Sequence, residues 1–293
     1  MDIQFEQLRT FAAVIDEGTF EAAARKLQVT PSAVSQRIKA LEQQVGRVLV
    51  RRTKPAGATE SGQVIMRLAR QVAMLEDEAS YSLNPDDADS AGSDIPLVVN
   101  ADSLATWVLP TLASLLERWR ITFDIHRENE MHSADVLREG AVMAAISSTS
   151  EPVQGCSVRK LGSMRYRAMA SEGFIERWFS DGVTPDSLSR APHIDFDRKD
   201  SLQTRFLRGT TRKQLEPPKH FVPASSDFRN AVELGLGWGM LPEQQVEGST
   251  RLRPLGVGRP IDVPLFWQRW KLDSPVLDAV SEAVLAGARR FLR

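Results

Sequence analysis

Residues 19–59 read TFEAAARKLQVTPSAVSQRIKALEQQVGRVLVRRTKPAGAT, and their reading decides the fold of the N-terminal part. Thr19 is a good N-cap for a short helix over Phe20–Leu27. Ala22, Ala23 and Ala24 keep that helix slim, so a second helix can approach closely. Gln28 and Val29 make the turn. Thr30 caps the next helix, with Pro31 at its first position, where the missing N–H costs little. Val34, Ile38, Leu41 and Val45 recur at helical spacing and define a buried face. Ser32, Gln36, Lys39 and Gln43 fall opposite, flanked by Ser35 and Arg37. Hydroxyls, amides and cations are the groups that read base edges and hold phosphates. Gly46 ends the helix, Val48–Thr53 reads as a strand and Lys54-Pro55-Ala56-Gly57 as a turn. The pattern predicts a winged helix-turn-helix. Its expected DNA contacts are Thr30, Pro31, Ser32, Ser35, Gln36, Arg37 and Lys39 on the helix, and Arg51, Arg52 and Lys54 on the wing.

Charge separates this reading from a plain three-helix bundle with a solvated polar face. Arg25–Lys54 holds eight basic residues and one acid, a net of +7, on a chain of 293 residues whose net charge is −1. Any DNA contact must therefore come from a local patch rather than a uniformly basic coat.

Upstream, Phe5, Leu8, Phe11, Ala12 and Ile15 form one apolar stripe, and Gly18 stops that helix. Downstream, Thr59 caps a long helix from Glu60 to about Leu83. Its stripe of Val64, Leu68, Val72, Leu75, Ala79 and Leu83 needs a partner. A coiled contact with a second copy would pair two recognition helices on a palindromic site. Packing on the chain's own N-terminal domain is the alternative. Glu76–Asp94 then carries seven acids and no Lys or Arg, and NPDDADSAGSD reads as a solvated linker.

Beyond the linker the pattern changes to strands alternating with helices. Strands are expected at Pro96–Asn100, Phe123–Arg127 and Val142–Ser147, and helices at Ser103–Trp119 (interrupted by Pro110) and Ser133–Glu139. A second set follows: strands at Tyr166–Ala170, His193–Asp197 and Trp238–Leu241, with a helix after Ser226. The alternation implies a largely parallel α/β sheet in two lobes with a ligand cleft between them. A last helix, about Pro275–Leu292, closes the first lobe. The glycines of Gly235-Leu236-Gly237-Trp238-Gly239 follow a helix and precede a strand, so they read as a helix stop and tight turn rather than a phosphate loop.

Several function classes find no support. The single cysteine, Cys156, cannot form an internal disulfide, and the four histidines lack metal-ligand spacing. No nucleophile-elbow pattern occurs, so no catalytic residues, metal or cofactor are expected. The N-terminus lacks a signal-peptide pattern and no apolar run could span a membrane, which points to a cytoplasmic protein.

The stretch LRTFAAVIDEGTFEAAARKLQVTPSAVSQRIKALEQQVGRVLVRRTKPAGATESG resembles the DNA-binding domain of LysR-type transcriptional regulators. The resemblance rests on the AAA helix, PSAVSQRIKALE, the glycine after it and the TESG start of the long helix. It implies a winged helix-turn-helix over 1–59, a linker helix and hinge over 60–94, and a two-lobed α/β effector domain like periplasmic binding proteins over 95–293. Lobe I would take about 95–165 and 267–293, and lobe II about 166–266. Val50 stands where most members have Phe, and Ala58 where an apolar residue usually precedes the Thr. The wing TKPAGATESG and the stretch VVNADSLATWVLPTL are similar to the lysine- and arginine-responsive subgroup, the ArgP- and LysG-like activators of amino-acid export genes.

That resemblance implies an effector held near strand ends and helix N-termini. A basic amino acid needs carboxylates for its cationic groups and backbone N–H donors for its carboxylate. The expected effector set is Asp102, Ser103, Glu130, Ser147, Asp197, Ser226 and Asp227. Glu128, Ser148 and Asp195 are nearby candidates, and Asp102 leads because both lines of reading meet there. Expected partners are double-stranded DNA, a homodimer or dimer of dimers, the basic amino acid and RNA polymerase, with no membrane. Two rival readings are a constitutive DNA-binding or nucleoid-organising protein whose C-terminal part only oligomerises, and an enzyme with an appended DNA-binding domain.

Overall fold

A computed structural model describes residues 3–83, 93–127 and 133–293. Most of the acidic linker, together with Glu128 and Glu130, lies outside the described residues. The chain divides into two compact units. One comprises Met1–Val99, Leu115–Val158 and Trp267–Glu282; the other comprises Asn100–Ser114, Arg159–Phe266 and Ala283–Arg293.

The first unit begins with α1 (Phe5–Glu17), α2 (Phe20–Lys26), α3 (Pro31–Val45), β1 (Val50–Arg51), β2 (Gly57–Ala58) and α4 (Glu60–Leu83). The caps fall where the hydroxyls predict them. Thr19 Oγ1 accepts from the Ala22 amide at 3.1 Å, Thr30 Oγ1 from Ala33 at 3.2 Å and Thr59 Oγ1 from Gly62 at 3.0 Å. Gly18 and Gly46 end α1 and α3 in the left-handed region. Leu8, Phe11, Val14, Val34, Ile38 and Leu41 form one core with Leu49, Ile65, Met66 and Ala69.

The expected strand Val48–Thr53 shortens to Val50–Arg51. Glu42 Oε1 accepts from the Leu49 and Val50 amides at 2.8 and 3.3 Å, which uses the backbone groups that would begin a longer ladder. In α4 the buried side is Ile65, Met66, Ala69 and Met74. Of the expected stripe, Leu68 and Val72 pack partly against the N-terminal core, whereas Val64, Leu75 and Leu83 are exposed. Arg67 projects from α4 and donates to the carbonyls of Gln154 at 2.7 Å and Leu137 at 3.3 Å.

After α4 come β3 (Ser93–Val99), then α5 (Ala101–Ser103), which continues through a π-helical turn (Leu104–Val108) into α6 (Leu109–Ala113). β4 (Ile121–Arg127), α7 (Ser133–Arg138), β5 (Ala144–Ser147) and β6 (Cys156–Ser171) follow. Next are α8 (Glu172–Trp178), α9 (Pro185–Arg190), β7 (His193–Asp195), α10 (Leu202–Thr210), β8 (Lys219–Phe221) and α11 (Ser225–Glu233). The chain closes with β9 (Gly239–Pro242), α12 (Glu243–Val246), β10 (Leu252–Pro254), β11 (Ile261–Trp270) and α13 (Pro275–Phe291).

In the first unit, β3 pairs parallel with β4 on one side and β5 on the other, Leu97 facing both Ile125 and Ala144. Its run of Leu97, Val98 and Val99 is buried, as a strand covered on both faces must be. In the second unit the expectation of a parallel sheet holds for β7 with β8 and for the parallel bridge of His193 to Trp238. β6 pairs antiparallel with both β9 and β10, because this single 16-residue strand replaces the short Tyr166–Ala170 segment expected and its neighbours return beside it. Met169, Ile194, Phe228, Val232, Leu241 and Leu252 fill the core of this unit. Gly235, at φ +79°, stops α11 as expected, and a side chain on Gly239 would meet the Phe228 ring at 2.6 Å. Trp107, Trp238 and Trp267 are fully buried; Trp119 is only half-buried.

Candidate nucleic-acid interface and effector site

The recognition helix α3 separates its two faces cleanly. Val34, Ile38 and Leu41 are fully buried, while Thr30, Pro31, Ser32, Ser35, Gln36, Lys39 and Gln43 are exposed. Arg37 is turned another way: its guanidinium meets Glu6 at 2.9 Å and donates to Thr10 Oγ1 at 3.4 Å. The structure thus places Arg37 against α1, where it holds the recognition helix on the helix beneath. On the wing, Arg51, Arg52 and Lys54 are all exposed. The Arg51 guanidinium lies across Gly57, and Arg52 stacks over the Phe20 ring at 5.4 Å. A 2.7 Å hydrogen bond from the Ala56 amide to the Gly18 carbonyl fastens the wing to the end of α1. The cations are therefore carried on a turn tied to the end of α1.

The second site is built around Asp102, in the first helical turn after β3. Tyr166 of β6 donates its hydroxyl to Asp102 Oδ2 at 2.7 Å, and Ser225, first residue of α11, donates to Oδ1. Gln245 of α12 donates in turn to Ser225 Oγ at 2.6 Å. Two elements thus meet the carboxyl carried by α5 and a third backs Ser225, all within the second unit. Burial pushes the Asp102 carboxyl above its usual range, and the hydroxyls of Ser225 and Tyr166 offset part of that push. Around it the Asn100 Oδ1, Ser103 Oγ and Gln245 Oε1 atoms are buried and have no hydrogen-bond partner among the described residues. Buried polar atoms normally find partners, so these three atoms are exceptions to the usual pattern.

The expected effector residues divide. Asp102 and Ser103 sit in this cluster. Ser226 and Asp227 lie on the exposed face of the first turn of α11, and the neighbouring Ser225 points to Asp102 instead. Asp197 Oδ1 accepts from the Lys199 and Asp200 amides at 2.7 and 2.9 Å and shapes the loop after β7. Ser147 is buried at the end of β5, in the first unit, and accepts from the Thr149 amide at 3.4 Å. Glu130 lies outside the described residues.

Sequence reasoning missed Tyr166, Ser225, Gln245 and Asp200. Asp200 takes amide donors from Phe196 and Leu202, each at 2.9 Å. Burial raises its carboxyl, the amides pull it back, and negative charge on Asp195 and Asp102 adds to the rise. Asp195 is buried beside His193 at 3.2 Å and Lys219 at 3.5 Å. Three acids therefore share one electrostatic neighbourhood. Among the described residues no cluster of His, Cys, Asp or Glu could hold a metal ion, and no helix is long and apolar enough to cross a membrane.

Two family models match the chain: a bacterial regulatory helix-turn-helix protein of the lysR family over residues 5–63, and a LysR substrate binding domain over residues 95–289. The chain belongs to the LysR family. An HTH-type transcriptional regulator, LysG of Mycobacterium tuberculosis, is 44% identical to this LysR-family chain, covering 98% of it and 94% of the relative. The lysine export transcriptional regulatory protein LysG of Corynebacterium glutamicum is 39% identical, covering 98% of each. Among solved structures, ArgP from Mycobacterium tuberculosis matches with a TM-score of 0.85 at 43% identity, covering 98% of both chains. Full-length LysG from Corynebacterium glutamicum with bound effector Arg matches with a TM-score of 0.79 at 37% identity, covering 99% of both. These relatives are transcriptional regulators rather than enzymes, and the family places this chain with them.

Proposed function

We propose that this LysR-family regulator is an activator of lysine or arginine export genes and that its effector is a basic amino acid bound at Asp102. The observation that carries the proposal is the Asp102 cluster. A half-buried residue's carboxyl receives, among the described residues, neutral donors from Tyr166 and Ser225 and lies beside unpartnered buried polar atoms. A cationic amine or guanidinium is the ligand group that such a set lacks. Asp200 adds a further acid nearby, its own carboxyl feeling the charge of Asp102. The arginine held by the Corynebacterium glutamicum relative supports the same reading.

In this account α3 enters the major groove with Ser32, Gln36, Lys39 and Gln43 at base edges, while Arg51, Arg52 and Lys54 hold the backbone. Residues 1–59 act as reader, 60–94 as linker helix and hinge, and 95–293 as sensor, with lobes as the sequence divides them. The exposed Val64, Leu75 and Leu83 of α4 offer the surface for a homodimer or dimer of dimers. The setting is the cytoplasm, and RNA polymerase is the partner through which activation proceeds.

Calorimetry of the full chain with lysine, arginine, leucine and glutamine tests the effector. Saturable heat with lysine or arginine and none with the neutral amino acids is expected. Equal binding of all four, or of none, would overturn the proposal.

A further inference from the structure

A second group of cations lies far along the chain from the reader. Residues 198–219 carry seven basic residues and two acids, a net of +5. With the +7 of Arg25–Lys54 removed as well, the rest of the chain stands at −13, against a total of −1. Two segments therefore concentrate positive charge on an otherwise acidic protein.

The fold gathers the second group on one small module. β7 and β8 run parallel, His193 opposite Lys219 and Asp195 opposite Phe221. α10 packs over β7, where Gln203 Nε2 donates to the Ile194 carbonyl at 2.6 Å, and it buries Gln203, Phe206 and Leu207. Arg205 and Arg208, one turn apart, are exposed on its other side. Arg198 and Lys199 lead into α10, Arg212 and Lys213 follow it, and all four are exposed. Arg198 stacks over Phe221 at 5.1 Å and so ties β8 to the same surface.

Clustering on one module, rather than charge pairing alone, marks this surface out, since Arg159, Lys160, Arg177, Arg251, Arg259, Arg289 and Arg290 are exposed in the same unit and likewise make no ion pair among the described residues. Arg165, Arg167, Arg190, Arg229 and Arg293, in the same unit, each lie within 3.0 Å of a carboxylate. Lys219 reaches Asp195 at 3.5 Å, but Lys199, Arg205, Arg208, Arg212 and Lys213 make no ion pair among the described residues. Compensation of the helix dipole accounts for Arg208, in the last turn of α10, and for none of the others.

We propose that this surface is a second DNA contact, one that grips the phosphate backbone of duplex lying beyond the stretch covered by the helix-turn-helix. The match is electrostatic. A duplex presents a charge every ~1.7 Å of axis, so cations a helical turn apart meet phosphates whatever the sequence. Uncompensated cations on a folded scaffold are also the feature shared with the wing, where Arg51, Arg52 and Lys54 likewise make no ion pair among the described residues. The consequence is a regulator that holds more DNA than its reading helix spans.

The test is a salt titration of the full chain on a random-sequence duplex of about 60 base pairs. Replacing Arg205, Arg208, Arg212 and Lys213 together with Ala should lower the slope of log K against log salt by about 3.6, since each lost phosphate contact removes ~0.9. Replacing the three arginines with Lys should keep the wild-type slope. Arg212→Ala with Lys213→Ala, beyond the end of α10 and so harmless to it, should lower the slope by about 2. A wild-type slope in that pair variant would overturn the proposal, because an acidic protein partner would leave DNA binding untouched. A Lys variant that loses as much as the Ala variant would overturn it too, by showing that charge is not the cause.

Discussion

The reader and the Asp102 site spend their polar residues in opposite ways. In α3 the apolar residues Val34, Ile38 and Leu41 are sealed away, and Ser32, Gln36 and Lys39 are left to solvent. At Asp102 the polar groups are themselves buried or half-buried and lean on one another. The first arrangement suits a partner that brings its own water and charge. The second suits a small ligand that must replace water group for group, and it ties recognition to ionisation. A substitution in the reader should accordingly act through packing or single contacts, whereas one at Asp102 should act on affinity and its pH dependence together.

Ile38→Ala should produce the largest change. Emptying a fully buried position costs about 2–5 kcal/mol, so denaturant unfolding should show an earlier first transition. DNA binding should fall while calorimetric effector binding persists; parallel loss of both would erase the contrast between the regions.

Asp102→Asn should cost effector binding about 2–5 kcal/mol, the range for removing one partner of a buried charge pair, with DNA binding kept. Burial raises the Asp102 carboxyl above its ordinary value of about 3.8, against the offsetting hydroxyls of Ser225 and Tyr166. Between that ordinary value and the raised one, the unfolded chain has released a proton that the folded chain retains. Stability of the effector-free protein therefore falls as pH rises through this window, and affinity for a cationic effector rises through it. Thermal melts and calorimetry across the acid range should show both trends in the wild type; in the Asn variant the affinity trend should be lost and the stability trend reduced to what other raised acids such as Asp200 contribute.

Gln36→Ala should remove roughly 1–3 kcal/mol of discrimination at one or two base pairs. An equal loss on every sequence would show that Gln36 holds the backbone rather than reading bases. The smallest effect belongs to Arg51→Ala, which should weaken binding to all sequences and lower the salt slope by about 0.9.

The same contrast explains what the sequence discloses. The helix-turn-helix is a local object: Thr19, Thr30 and Thr59 cap helices three residues ahead, and Gly18 and Gly46 stop them. Periodicity alone therefore finds its buried and exposed faces. Arg37 is the exception, because its attachment to Glu6 and Thr10 depends on how α3 crosses α1. The Asp102 site is assembled from β6, α11 and α12, and no local pattern marks Tyr166, Ser225 or Gln245 as its members. Ser226 and Asp227 were legible as a helix start, but a one-residue difference in that start gives the inward position to Ser225. Asp200 looks in sequence like an ordinary turn acid. Only the packing of α10 on β7 brings it near Asp195 and Asp102. In α4 a stripe of regular spacing was visible, yet the N-terminal core takes Ile65, Met66 and Ala69 from the adjoining side and leaves Val64 and Leu75 exposed.

The proposed function implies that a basic amino acid at Asp102 would change how paired readers meet DNA. The most direct measurement is the footprint and bend angle of the full chain on operator DNA selected from a random pool, with and without saturating arginine or lysine. The account predicts that the effector alters footprint or bend in the wild type and alters neither in Asp102→Asn. An identical footprint and bend with and without effector, in wild-type protein shown by calorimetry to be loaded, would contradict it.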